Sequence, residues 1–246
     1  NAEATKKAEA YASTYGQVGD ESYYAAVVLN NIWYDYQSIG VAVANNYGSG
    51  TTRTAILANI DSDESNYDCV TVFHFGHMAG NNNYFDSLGN TVYSSDINAY
   101  TSNTKHYFIW LWTCNQANGP TVGMPPAWTK ISSLSGNALL TPDDSGHCFI
   151  GFSGASPALS YRSFEYYTQL AYPFITNFYY YAVTQGYNVG DSLFLASYAV
   201  FSNNYYQCPL NTGYRTWWPY NPTWPNIPEG WYSGAMLTYG DYRAYP

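Results

Sequence analysis

Cys114 and His77 are the two residues of this chain best equipped for nucleophilic chemistry. A thiol becomes a strong nucleophile when ionised, and a neighbouring imidazole favours the thiolate and supplies the proton that a departing amine needs. Each stands just past an apolar run, DCVTVFHF (68–75) before Gly76-His77 and HYFIWLWT (106–113) before Cys114-Asn115-Gln116. Runs so rich in β-branched and aromatic residues read as buried strands. In parallel sheets the site gathers at the carboxyl ends, and the 37 residues from His77 to Cys114 allow a crossover that sets two parallel strands side by side. His74 competes for the role of base, but residues three apart on a strand face opposite sides. His77, beyond the strand end, is the one placed to reach a substrate. The same geometry disfavours a zinc site of Cys69, His74 and His77, whose ligands would have to converge. The chemistry expected therefore requires no metal and no organic cofactor. The competing structural roles are a buried, thiol-bearing small hydrophobe for Cys114 and a satisfied structural histidine for His77.

The elements that must position these residues follow from periodicity and turn chemistry. Residues 3–14 (EATKKAEAYAST) and 22–37 (SYYAAVVLNNIWYDYQ) read as helices, the second packed on a sheet, and a further helix is expected over 51–60. Residues 81–98, with the turn sequence Asp86-Ser87-Leu88-Gly89-Asn90, read as a hairpin beside the main sheet. HCFIGFSG (147–154) is a third buried strand and MLTYGDYR (236–243) a closing one. Helices are expected over 165–184, interrupted near Pro173, and over about 190–201. Residues 119–146 read as a linker and 203–233 as a long packed loop dense in Trp and Pro. Strands alternating with helices predict one α/β domain over residues 1–246, with a mostly parallel sheet covered on both faces.

Composition narrows the setting. Charged residues make up 10% of the chain and aromatics 20%, with 29 Tyr, against about 25% charged in an average soluble domain. A surface of neutral polar groups fits a secreted, extracellular or cell-surface location. With 8 Lys+Arg against 17 Asp+Glu the net charge is −9, which gives no cationic footprint for nucleic acid. No run approaches the ~20 apolar residues of a membrane span. The chain begins at Asn1 without an apolar leader, as expected of a processed N-terminus. Four cysteines are too few for a disulfide scaffold or paired zinc motifs. If Cys114 stays a free thiol, at most one disulfide can form, with Cys148 and Cys208 as the expected pair.

Taken together, YDCVTVFHFGHM, DSLGNTVYSSDI and KHYFIWLWTCNQANG resemble the core of the caspase, legumain and gingipain group of cysteine peptidases, over roughly residues 54–160. The resemblance implies a caspase-like fold, a three-layer α/β/α sandwich around a mainly parallel sheet. It implies a Cys114–His77 dyad acting on a peptide or protein substrate, with the backbone N–H groups of Met78 and Cys114 holding the oxyanion. Met78 stands where that family usually has Gly, and Gly76 precedes the histidine instead. CFIGFSGASPALSYRSFEYYTQ resembles the caspase stretch whose Arg lines the primary pocket, so Arg162 would bind an acidic P1 side chain; an ion pair with Glu165 competes, and P1 preferences for Asn or for Arg and Lys stay open. Asp143-Asp144 is either a self-processing site or turn chemistry. LTYGDYR is similar to the Gly-Asp near the end of gingipain-like domains. Transpeptidation would use the same residues. The reading from another class is a catalytically inactive, extracellular structural or adhesive protein whose Tyr-rich surface drives self-association.

Overall fold

The strands Cys69–Phe75 and His106–Trp112 show why the chain layers as it does: successive side chains enter opposite faces, and both faces are apolar. In chain order the elements are β1 (Lys6–Ala12), α1 (Glu21–Ser38), β2 (Ala42–Tyr47), α2 (Arg53–Asn66), β3 (Cys69–Phe75), β4 (Met78–Gly80), β5 (Asn83–Phe85), β6 (Thr91–Tyr93), α3 (Ser94–Tyr100), β7 (His106–Trp112), α4 (Met124–Thr129), β8 (Cys148–Phe152), α5 (Ala171–Tyr179), α6 (Val189–Phe201) and β9 (Met236–Gly240). The computed structural model describes residues 4–17, 19–136, 138, 142–160, 171–201 and 236–242. The main sheet runs β2-β1-β3-β7-β8-β9, and β4-β5-β6 form a small separate sheet. All neighbours in the main sheet are parallel except β8 and β9.

Phe73, Phe75, Phe108, Trp110 and Trp112 point to one face, where they pack with residues of α1, α5 and α6. Val70, Val72, Ile109 and Leu111 point to the other, against Ile56, Leu57 and Ile60 of α2, Ile97 of α3 and Trp128 of α4. The result is an α/β fold with a mostly parallel six-stranded sheet between two layers of helices, as expected. Trp110 is fully buried. Its ring lies 4.7 Å from Phe178 and 5.9 Å from Tyr179, within the range where aromatic pairs attract.

Several expectations need correction. The Ala-, Glu- and Lys-rich segment expected as a helix over 3–14 is strand β1. Ala8, Ala10 and Ala12 let α1 approach the sheet closely, and pairing on both sides with β2 and β3 outweighs the local helix preference. The helix expected over 51–60 continues to Asn66, and Thr52 caps it by accepting the Ala55 N–H at 3.3 Å. The hairpin is β5 and β6, but residues 94–98 belong to α3. Its turn is held by buried Asp86, which accepts the N–H groups of Leu88 and Asn90 at 2.8 Å and that of Arg53 at 2.8 Å. The supposed linker 119–146 contains α4 and buries Met124, Trp128 and Leu134. Asp143 takes part in turn chemistry, accepting from Ser135 N at 2.7 Å and Ser145 N at 3.0 Å. Cys148 is a buried free thiol, and the pairing expected for it with Cys208 involves a residue outside the described ones. Cys208, the 203–233 loop and the 165–170 part of the expected helix lie outside the described residues.

Between β1 and α2 lie two buried carboxyl groups, Glu9 at 4% exposure and Asp63 at 5%. Lys7 pairs with Glu9 at 3.2 Å, and Asn46 Nδ2 donates to Glu9 Oε2 at 2.6 Å. Burial first, then the charge of Glu9, pushes the Asp63 carboxyl from 3.8 up to about 7, with Lys7 opposing. A carboxyl raised in the folded state binds a proton that the unfolded chain has already released. Its stabilisation is therefore complete below about 4 and lost as pH rises towards 7. We predict that Asp63→Asn flattens the pH dependence of urea unfolding between pH 4 and 7. Above pH 7 the variant should be more stable than wild type by about 1–2 kcal/mol; parallel wild-type and variant profiles would contradict this.

Candidate active site

His77 and Cys114 stand at the same height. β3 and β7 pair with Phe75 opposite Trp112, and each candidate lies two residues beyond its member of that pair. Neighbouring strands run ~5 Å apart, so two adjacent strand ends deliver the thiol and the imidazole to one edge of the sheet. The segments that follow them are in contact: Asn115 Nδ2 donates to Met78 Sδ at 3.0 Å.

The local folding at Cys114 is explained by hydrogen bonds. Asn115 adopts a left-handed conformation, φ 55°, which Asn tolerates better than most residues. The chain thereby turns and doubles back along β8, with Asn115 N donating to Gly154 O at 2.9 Å and Ala117 N to Phe152 O at 3.0 Å. Cys114 sits where this reversal begins. Buried Gln116 ties the turn to the β4–β5 corner, donating from Nε2 to Cys114 O at 2.7 Å and to Asn83 O at 3.0 Å. Asn82 N donates to Asn115 O at 2.9 Å.

The two reactive side chains lean apart. The exposed His77 ring packs towards the β1–α1 loop, where a Cβ added to Gly16 would lie 3.5 Å from His77 Cδ2. The partly exposed Cys114 Sγ leans towards β8, 3.2 Å from Ser156 N and 3.4 Å from Ser156 Oγ. Among the described residues, the hydrogen-bond partner of Sγ is Ser156 and not His77. Thiol and imidazole thus rest on separate neighbours, the Ser156 segment and the Gly16 loop.

Met78 occupies extended backbone at the start of β4 and has no need of the conformations reserved for glycine. The Phe85 N–H donates to His77 O at 2.9 Å, which makes Met78 and Tyr84 a pair without mutual hydrogen bonds. The Met78 N–H therefore points away from β5. Arg162 lies outside the described residues.

His74 is not a rival base. It is fully buried, burial pushes its pKa down to about 3, and its ring nitrogens face Ser13 Oγ at 3.0 Å and Thr113 Oγ1 at 3.5 Å. Cys69 begins β3 and lies ~20 Å along the strand from its carboxyl end, so it does not converge with His77. Sequence reasoning passed over Ser156, Gln116 and Asn82. The signal for Ser156 was faint: a Ser-Gly-Ala-Ser run directly after a buried strand.

The thiols differ in environment. Burial pushes Cys69 up to about 11 and raises Cys148 well above the ordinary range, whereas Cys114 is partly exposed. We predict that iodoacetamide at pH 7.5 modifies Cys114 in native protein at least roughly tenfold faster than Cys69 or Cys148, because the thiolate is the reacting species. Peptide mapping against time measures this, and equal labelling of Cys69 would contradict it. Comparison with known protein-family models and with curated proteins finds no match for this chain.

Proposed function

We propose that this chain is a cysteine endopeptidase of the caspase, legumain and gingipain type and that its sandwich is a caspase-like fold. The observation that carries the proposal is the equal height of His77 and Cys114 at adjacent parallel strand ends, with Met78 and Asn115 in contact beyond them. The Cys114 thiolate attacks the scissile carbonyl carbon, and the displaced electron pair collects on the carbonyl oxygen. The N–H groups of Met78 and Cys114 face that oxygen. Collapse breaks the C–N bond as His77 gives a proton to the leaving amine, leaving a thioester on Cys114. Water then attacks the thioester, passing a proton to His77, and the C–S bond breaks to release the carboxylic acid product, restoring the Cys114 thiolate and the protonated His77. An amine in place of water would give transpeptidation. Arg162 carries a preference for an acidic P1 residue in this proposal, and the sparsely charged surface fits action outside the cell.

The alternative, an inactive adhesive protein that self-associates, draws on the outward-facing rings of α1 and α6. Tyr23 and Tyr34 are each 67% exposed and Tyr198 57%.

A P1-diverse fluorogenic peptide library separates the two. We predict cleavage that Cys114→Ala abolishes and that His77→Ala slows at least about a hundredfold, the usual range for loss of a general acid/base. Acidic or amide P1 residues should be preferred. Folded, reduced protein that cleaves nothing, yet scatters light increasingly with concentration, would overturn the peptidase proposal in favour of assembly.

A further inference from the structure

The loop after β8 contributes to the candidate site in a way that no motif announces. Ser156 presents two groups to one sulfur atom: its backbone N–H, 3.2 Å from Cys114 Sγ, and its hydroxyl, 3.4 Å away. An N–H can only donate, so the sulfur is an acceptor in this contact. The hydroxyl can do either. It accepts from the S–H of a neutral thiol and turns to donate once the proton has left, so the sulfur keeps two partners in both forms.

The loop is fastened from three sides. Asn115 N holds Gly154 O at 2.9 Å. The buried Trp112 indole Nε1 donates to Pro157 O at 2.7 Å. The carboxylate of Glu21, 7% exposed at the start of α1, accepts the N–H of Leu159 on Oε2 and the N–H of Ser160 on Oε1, both at 2.8 Å. A buried carboxylate using both oxygens on two successive backbone donors fixes the position and the direction of the chain it grips. α1 is thereby coupled to the thiol on β7 through the loop that follows β8.

We infer that Ser156 is a further catalytic residue, holding the Cys114 sulfur through its N–H and hydroxyl, and that Glu21 is a positioning residue acting through the 157–160 loop. The inference rests on Cys114 being the nucleophile of the proposed reaction, and it assigns the thiolate a partner besides His77. Hydrogen bonds to charged acceptors are roughly twice as strong as neutral ones, so the hydroxyl matters most in the ionised form that attacks.

The test is the second-order rate of iodoacetamide alkylation at Cys114, read by peptide mapping, for wild type, Ser156→Ala, Ser156→Thr, Glu21→Gln and the Ser156→Ala/Glu21→Gln double variant. Ser156→Ala should alkylate roughly five- to tenfold more slowly at pH 7.5, the loss of one hydrogen bond to a charged group, and Ser156→Thr should recover most of the rate. Glu21→Gln keeps one acceptor but turns an amide NH2 towards a backbone N–H, so it should slow alkylation as well. The double variant should match the slower single variant, because both act through one contact. Thermal unfolding of each variant verifies folding, and the two Ser156 variants suffice if Glu21→Gln does not fold. A Ser156→Ala rate equal to or above wild type, or fully additive effects, would overturn the inference. Peptide cleavage measured alongside distinguishes the failures: Ser156-dependent alkylation without cleavage sinks the peptidase proposal, and with it the catalytic role of Ser156, while leaving its hold on the sulfur; cleavage with Ser156-independent alkylation sinks this inference alone.

Discussion

A one-residue shift in register between β3 and β7 sets the geometry of the candidate site. At the start of the pair Val70 faces His106, but the next residue, Thr71, faces Phe108, so Tyr107 is extra. From there on the register matches the sequence separation of His77 and Cys114, and the two arrive level. Without the shift, His77 would stand level with Thr113, and because side chains alternate, Cys114 would face the wrong way. The extra residue has its own support. His106 turns under Trp128, ring to ring at 5.4 Å, with Nδ1 3.3 Å from Glu64, while Tyr107 stacks on His147 at 4.6 Å. Above the shift, the aligned pairs Phe73/Trp110 and Phe75/Trp112 lock the new register, since a slip would expel four large rings from one core.

Glu9 and Asp63 with Lys7, and Glu64 with His106, lie between the sheet and α2. Burial works against ionisation of Glu64, but the His106 ring beside it and donation from the Ser102 hydroxyl and N–H prevail and bring it down to about 2. Around Cys114 and His77 the described contacts are neutral: Gln116 on two carbonyls, Asn115 on Met78, Ser156 on the sulfur, Ser13 and Thr113 on His74. In such surroundings the orientation of backbone N–H groups counts for more than the placement of formal charges. That accords with a chain holding few charges and many amide and hydroxyl side chains.

Long buried strands could be read from the sequence because a parallel sheet covered on both faces demands continuous apolar runs, and 68–75, 106–113 and 147–154 supply them. The placement of His77 and Cys114 just past two such runs was legible for the same reason. β1 was not. Its alternation is between small and polar residues, KKAEAYA, and the strand exists because α1 needs alanines beneath it and because β2 and β3 pair on either side. α4 was hidden by Pro125 and Pro126, which look like breakers but occupy the first turn, where a missing N–H costs little. The contact of Ser156 with Cys114 spans 42 residues and depends on where the chain goes after β8, which no local pattern encodes.

The methionine after His77 is the point at which the resemblance and the structure bear on each other most directly. Glycine is required where the backbone must enter left-handed space, and at this corner Asn82, φ 61°, and Asn115, φ 55°, take that duty. Position 78 is already extended within β4, so a side chain there costs no backbone strain, and its N–H stays free of β5. What the side chain adds is a contact: its sulfur accepts from Asn115, the residue after the thiol. The methionine therefore links the segment after His77 to the segment after Cys114. The left-handed turn at this corner lies four residues further along the chain, at Asn82, whose N–H holds Asn115 O at 2.9 Å.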